Sequence, residues 1–454
     1  MLYRLPRLGP ILLLALLVSL APAARAGQPP NIVIIILDDW GWQESGAYGN
    51  PRIQTPRIDQ LARNGAQFHN AFLTASTCSS SRASILSGQY PFAVGVPRLH
   101  VPLPPDKKLL SQHLRQAGYF TASVGKWHLG ETAKSQFDRV IEERQTADES
   151  QSGAEDWLQA LEQLPAGRPF FLWLAAKDPH KPWLDDPAWQ VHRPEQMQIP
   201  PYTQLNKKQD PTQFRQDVAR YYDEIHRADV HIGQVVDALR EKQQLDNTIL
   251  IVMSDNGAPF WKAKMFLTDA GLKTPFIVHW PAHIRQHRDV RELVSAVDIA
   301  PTLLQAAGLP IPKEMEGVSF AHWLSGPATT PIRDRVYGER GDELLGSRNG
   351  RSLRDQHYLY IKDDYDTYSR CSDPLWQDPL RGEQLYDVTD DPWQQHNLAQ
   401  AQPVLTRWWR KLQGKDDEAA LMHYRTQLQA RRKQRHDLPA PVINGDCPVA
   451  WMPK

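Results

Sequence analysis

The first clear feature of the hydrophobic pattern is Asn31–Leu37 (NIVIIIL), a continuous, mostly β-branched run with no polar alternation. A strand needs such a run when both of its faces are buried, as in a parallel sheet covered by helices on either side. Runs of similar texture recur at Gln67–Leu73, Tyr119–Val124, Pro169–Ala176, Thr248–Met253 and Pro275–Trp280. Between them the apolar spacing shifts to that of amphipathic helices, at Thr55–Asn64, Lys108–Ala117, Gly153–Leu164 and Asp298–Ala307, with a long one from about Thr212 to Lys242. Strands alternating with helices predict an α/β fold, a large mixed, mostly parallel sheet sandwiched by helices.

After about residue 330 the texture changes. Short polar strand candidates follow at Arg335–Glu339, His357–Ile361 and Gln384–Asp387, then charged helical stretches at Ala401–Gln413 and Asp416–Arg432. The pattern predicts a larger domain over 27–330 and a smaller C-terminal α+β subdomain over 331–454, whose tail from Arg431 to Lys454 reads as a surface wrap.

Charge narrows the partners. The 52 Lys and Arg balance 52 Asp and Glu, so no net field favours a nucleic acid. Residues 1–26 read as a signal peptide: Arg4 and Arg7, an apolar run from Ile11 to Leu20, then Ala24-Arg25-Ala26 as a small-x-small cleavage site. No later stretch is long and apolar enough to span a bilayer, so the expectation is an exported chain, periplasmic or secreted, with no membrane span after processing. Three cysteines remain; Cys371 and Cys447 could pair, which leaves Cys78 odd.

Candidate chemistry gathers after the strand runs. Asp38-Asp39 follows the first strand directly, and Asp255-Asn256-Gly257 follows another. Ligands of open α/β sheets gather at the carboxyl ends of strands, where adjacent carboxylates repel each other unless a cation lies between them. A bare Asp-Asp pair also reads as a helix cap plus a solvated Asp; with the second strand end, three carboxylates and an amide oxygen make a hard-oxygen site for calcium or magnesium. The run Cys78-Ser79-Ser80-Ser81-Arg82 through Gly88 would place Cys78 by free N–H groups at a helix start, with Arg82 one turn on to fork onto an oxyanion. Its plainer reading is an N-cap cluster of serines beside a buried cysteine. His226 and His231, five apart on the long helix, are poorly spaced for one metal and read as structural.

Together these segments resemble the type I sulfatases of the alkaline phosphatase superfamily. The matching landmarks run in family order: Asn31–Asp39, Cys78-x-x-Ser81-Arg82 to Gly88, Gly125-Lys126-Trp127-His128-Leu129-Gly130, Asp178-Pro179-His180, Ser254-Asp255-Asn256-Gly257, and Lys264 ahead of Asp269-Ala270-Gly271. Glu383–Asp387, Asp391-Pro392 and Asn397-Leu398-Ala399 match the closing segment. One position departs: Ser80 stands where the family usually has Pro or Ala.

The resemblance implies a sulfatase whose Cys78 is oxidised to formylglycine by a maturation enzyme, and whose hydrated form attacks sulfur. It implies one calcium ion held by Asp38, Asp39, Asp255, Asn256 and the modified Cys78. Arg82 would hold the hydroxyls of residue 78 and the metal pocket. Lys126, His180 and Lys264 would bind sulfate, with His180 and Lys264 assisting the leaving group, and His128 would deprotonate the second hydroxyl. The substrate implied is a sulfated carbohydrate. Glu44–Tyr48, Arg168 through His180 and Asp255–Phe260 are most similar to the heparan N-sulfoglucosamine sulfohydrolases, with O-sulfated sugars and phosphate or phosphonate esters as alternatives. An unmatured, non-catalytic glycan binder is a further alternative. Arg340, Arg348, Arg351 and Arg354 would either line the pocket mouth or lie in a solvated loop.

Overall fold

β1 (Asn31–Leu37) lies at the middle of the main sheet in this computed structural model, which describes residues 28–143, 151–205, 209–328, 330–341, 350–363 and 382–413. Ile32, Ile34 and Ile36 point into one apolar core and Val33, Ile35 and Leu37 into a second, on the opposite face. Successive side chains of a strand point to opposite faces, so a strand with a core on each side has no position left for a polar residue.

Around β1 the chain builds β2 (Ala66–Phe68), β3 (Ala71–Phe72), β4 (Phe120–Gly125), β5 (Arg139–Glu142), β6 (Phe170–Ala175), β7 (Thr248–Ser254), β8 (Phe276–His279), β9 (Arg288–Val290) and β10 (Val294–Ser295). The eight-stranded sheet runs β5-β4-β6-β1-β7-β8-β2-β9, with β8 alone antiparallel to its neighbours. Helices Pro56–Arg63, Trp157–Glu162 and Pro211–Glu241 cover one face through Ile58, Trp157, Ile225 and Ile232. Cys78–Ser87, Leu110–Gln116 and Ile299–Ala306 cover the other through Ile85, Leu114 and Leu303. The long helix starts where its first amides find a partner: Asp210 caps it by accepting from the Thr212 N–H at 2.8 Å, and Pro211 needs none.

A second sheet, β11 (Val336–Arg340), β12 (Gly350–Arg354), β13 (Tyr358–Asp363) and β14 (Gly382–Asp387), is antiparallel throughout. Leu353, Tyr360, Leu385 and Trp409 form a small core on one face, while Val336, Leu359, Ile361 and Tyr386 join the main core on the other. Its tie to the larger body is polar as well: the Glu339 N–H donates to Thr74 O at 2.7 Å, and Glu339 Oε2 accepts from the Phe92 N–H at 2.9 Å. Residues 403–413 are helical. Asp416–Arg432, the tail, Cys371, Cys447, Arg348 and residues 1–26 lie outside the described residues. Among the described residues no helix is long and apolar enough to cross a membrane.

Three expectations need correction. Gln67–Leu73 is two strands in two sheets: the His69 N–H donates to Val290 O and Asn70 Nδ2 to Arg291 O, and β3 leaves to pair with β10. The helix expected from Gly153 begins at Trp157, because Gly153 has φ 78 and the Ser152 N–H is turned onto Glu155 Oε1. Gly350–Arg354 is a strand rather than a loop, its arginines buried.

Candidate active site

Four adjacent strands deliver the chemistry. β4, β6, β1 and β7 pair in register so that Gly125 lies beside Ala175, Ile36 beside Ala175, and Leu37 beside Ser254. One rung beyond, the Asp38 N–H donates to Asp178 O at 3.0 Å and the Asp255 N–H to Leu37 O at 3.1 Å. Past that rung the ladder ends and side chains from neighbouring strands converge. Gly125, at φ 96, is required at its turn: a Cβ there would sit 1.9 Å from Ala175 O. Asp39 itself is left-handed, at φ 71, a region that Asp enters more readily than most residues.

Cys78 is the first residue of its helix, after an extended Thr77. Oxygens of Asp38, Asp39 and Asp255 and the Cys78 sulfur all lie within 4.8 Å of one another, and all four residues are buried. Each carboxylate has its own cation. Lys126 Nζ pairs with Asp38, Lys264 Nζ lies 2.6 Å from Asp39 Oδ1, and Arg82 Nε donates to Asp255 Oδ2 at 2.8 Å. Cys78 Sγ is 3.3 Å from Asp38 Oδ1 and 3.9 Å from Lys126 Nζ, and His180 Nε2 is 3.9 Å from Asp39 Oδ2. Asn256 Nδ2 donates to Asp39 Oδ1, while Asn256 Oδ1 is buried with no hydrogen-bond partner among the described residues.

The field inside this cluster is uneven. Burial raises Asp255 and the charge of Asp38 beside it raises it further, to about 6. Burial would raise Asp38 too, but Lys126, His180 and Lys264 pull harder, and its carboxyl ends well below the usual range. Burial, and then Asp38, push the Cys78 thiol well up, so the unmodified thiol is a poor nucleophile. The donor set fits a hard divalent cation. Three buried carboxylate groups repel one another, and an amide oxygen with no partner stands beside them.

His128 stands at the edge of the cluster, at φ 61. Its Nε2 is 2.7 Å from His100 Nδ1, and its Nδ1 is buried with no hydrogen-bond partner among the described residues. Burial, then Lys126 and Arg82, lower it to about 3, so the ring is neutral at physiological pH. His100 carries no motif, and nothing in its Pro-rich surroundings singles it out in the sequence.

The structure therefore brings Asp38, Asp39, Cys78, Arg82, Lys126, His180, Asp255, Asn256 and Lys264 into one network, with His128 reaching it through its field. Arg82 reaches across the cluster, with Nε donating to Asp255 Oδ2 and Nη1 to Lys126 O at 3.1 Å. The arginines of the second sheet are committed as well. Arg340 bonds Met265 O and Asp363, Arg354 pairs with Asp269 at 3.0 Å, and Arg351 lies over the Phe92 ring at 4.2 Å. These contacts brace the second sheet. His226 Nδ1 bonds Gln54 O at 2.9 Å and His231 packs against Trp157 and Trp189, both away from any metal cluster among the described residues.

A mostly parallel sheet sandwiched by helices, with a buried carboxylate cluster at its strand ends and a small antiparallel sheet docked beside it, is the alkaline-phosphatase-like fold. Residues 30–309 match the sulfatase family and residues 257–417 the N-sulphoglucosamine sulphohydrolase C-terminal family; the chain belongs to the sulfatases, as a sulfuric ester hydrolase resembling sulfamidases. It is 30% identical over 403 residues to an ulvan-active sulfatase of Formosa agariphila, covering 84% of this chain and 78% of that one. Human N-sulphoglucosamine sulphohydrolase is 29% identical over 438 residues, covering 82% and 86%. The solved structure of BT4656 with its substrate D-glucosamine-2-N,6-O-disulfate superposes with a TM-score of 0.69 at 20% identity, over 88% of this chain and 99% of that one.

Proposed function

We propose that this chain is an exported sulfatase that removes sulfate from a sugar, with N-sulfoglucosamine at the end of a heparin-like fragment as the substrate. The observation that carries the reading is the pairing of three buried carboxylates with two buried cations, Arg82 and Lys264, and a part-buried one, Lys126, around Cys78. A divalent cation seated among the carboxylates would leave the lysines in excess positive charge, and a buried excess of that sign is a site for a sulfate group.

In this reading Asp38, Asp39, Asp255 and Asn256 Oδ1 hold a calcium ion together with residue 78. The cation would act as a Lewis acid on sulfate oxygens. Formylglycine, made from Cys78 by a maturation enzyme, would supply the nucleophilic oxygen that a thiol cannot. The chain's own groups do the rest. Lys126 and Lys264 hold sulfate oxygens, and Arg82 keeps Asp255 charged and in place. His180 presents Nε2 for the leaving atom, and His128, neutral, accepts a proton at Nδ1. Residues 27–330 form the catalytic domain and 331–454 the smaller subdomain, after removal of 1–26.

A second reading, an O-sulfated sugar, has specific support: the substrate of BT4656 carries a 6-O-sulfate as well as an N-sulfate. The test is to co-express the chain with a formylglycine-generating system and challenge it with defined sulfated sugars. Residue 78 should label with hydrazide, and N-sulfoglucosamine should yield sulfate and a free amine. Cleavage of an O-sulfated hexosamine with N-sulfoglucosamine left intact overturns the choice of sugar. Full turnover by Cys78→Ala overturns the nucleophile.

A further inference from the structure

Two histidines far apart in sequence meet beside the nucleophile. His128 Nε2 and His100 Nδ1 are 2.7 Å apart, with ring centroids separated by 4.7 Å. Both residues are left-handed, at φ 59 for His100 and 61 for His128. Such conformations are unfavourable for non-glycine residues and persist where the surroundings hold them. The loop is also tied to the nucleophile helix, since the His100 N–H donates to Ser79 Oγ at 3.1 Å, one residue after Cys78.

A contact between two ring nitrogens at that distance holds one hydrogen, and the surroundings decide whose it is. If His100 donated, His128 would carry its hydrogen on Nδ1, where it is buried and has no acceptor among the described residues. A buried N–H without a partner is rarer than a buried lone pair without one. The ring also lies in the positive field of Lys126 and Arg82, which favours a lone pair over an N–H dipole on its inner side. The hydrogen therefore belongs to His128 Nε2, His100 Nδ1 accepts it, and the exposed His100 keeps its own hydrogen on Nε2.

We propose that His100 is a positioning residue for the reaction: it fixes His128 as the Nε2–H tautomer, leaves Nδ1 bare as the base, and holds the ring when that nitrogen takes up a proton. The inference rests on the proposed role of His128. When Nδ1 accepts the proton of a hydroxyl that a formylglycine at position 78 would carry, that O–H bond would break with its electron pair left on oxygen, an N–H bond would form, and the resulting imidazolium would still donate Nε2–H to a neutral acceptor. Charge-assisted hydrogen bonds are stronger than neutral ones, so the contact tightens as the charge appears. A base held by an orienting acceptor is the same physical device as the carboxylate behind a catalytic histidine, here with a neutral ring in its place.

The test compares His100→Ala with His100→Asn, whose side-chain oxygen can still accept from Nε2. The first readout is the nitrogen spectrum of histidine-labelled, unmatured protein without substrate, which reports the tautomer of His128 and needs no turnover. Wild type and His100→Asn should show Nδ1 bare, and His100→Ala should show a mixture. In the matured enzyme His100→Ala should lower kcat by about 10- to 100-fold with KM unchanged, less than the loss of a whole general base. His100→Asn should recover most of it. An unchanged tautomer or an unchanged kcat in His100→Ala overturns the proposal, as does an Asn variant no better than Ala. Unfolding midpoints matching the wild type show that both variants fold. If the matured enzyme cleaves no sulfated sugar, the proposed function fails, while the tautomer comparison is decided separately.

Discussion

At the carboxylate end of the site, Asp38, Asp39, Asp255, Arg82 and Asn256 are wholly buried, and each carboxylate is matched by a cation. At the histidine end, His128 is held through one ring nitrogen by a histidine on an exposed turn. The first arrangement is part of the folded core, so its charges answer to stability as well as to chemistry. The second can be altered with little effect on the core. A single site thus contains groups whose removal should unfold the protein and groups whose removal should only slow it.

The sharpest way to break this contrast is to cut each end once. Asp255→Ala leaves the guanidinium of Arg82 buried without its carboxylate, and removing one partner of a buried pair costs about 3–5 kcal/mol. Urea unfolding should show that loss together with abolished turnover. His128→Ala should lower turnover by about 10²- to 10⁴-fold while the unfolding midpoint stays close to the wild type. Equal stability losses in the two variants would erase the distinction.

A smaller effect tests how far the buried polar region extends beneath Asp39. Glu44 Oε1 accepts from the Tyr202 hydroxyl at 3.0 Å, and burial raises its carboxyl to about 7. Because the folded value lies above the unfolded one, its contribution to stability is fully present below about pH 4.5 and is lost as pH rises through about 7. The span is roughly 3 kcal/mol, at about 1.4 kcal/mol per pH unit. Glu44→Gln should flatten that part of the stability profile; a slope that survives the substitution assigns it elsewhere.

The smallest effect concerns the helix start. Ser80 Oγ is buried without a hydrogen-bond partner among the described residues, so Ser80→Ala should raise stability by about 1 kcal/mol in a denaturant titration. It also restores one of the residues usual at that position, and the fraction of chains that label with hydrazide should rise. A destabilised Ser80→Ala would show that the hydroxyl has a partner in solution.

The parts legible in the sequence share one physical cause. β1 shows in the pattern because a core on each face removes every polar position, and the carboxylates show because they follow such runs directly. β12 does not show, because Arg351 and Arg354 are buried by partners that local pattern cannot see: the ring of Phe92 and the carboxylate of Asp269. β2 and β3 merged into one run for a related reason, since the backbone partners that divide them, Val290 and Arg291, lie more than two hundred residues away. His100 was illegible because its importance lies in one contact across the fold and not in its neighbours along the chain. Lys126, His180 and Lys264, by contrast, were marked by motif and resemblance, and their convergence on Asp38 and Asp39 is a property of the folded sheet.

The depth of Cys78 sets an order of events for the life of the molecule. Cys78 is 1% exposed, the first residue of a helix whose residues are all buried, and its sulfur lies within 4.8 Å of an oxygen of Asp255, which follows a strand more than a hundred residues downstream. A protein catalyst has no access to that sulfur once the sheet has closed over it. Any enzymatic conversion of the thiol must therefore come while the chain is still open, and the rate at which the later strands arrive sets the time available for it.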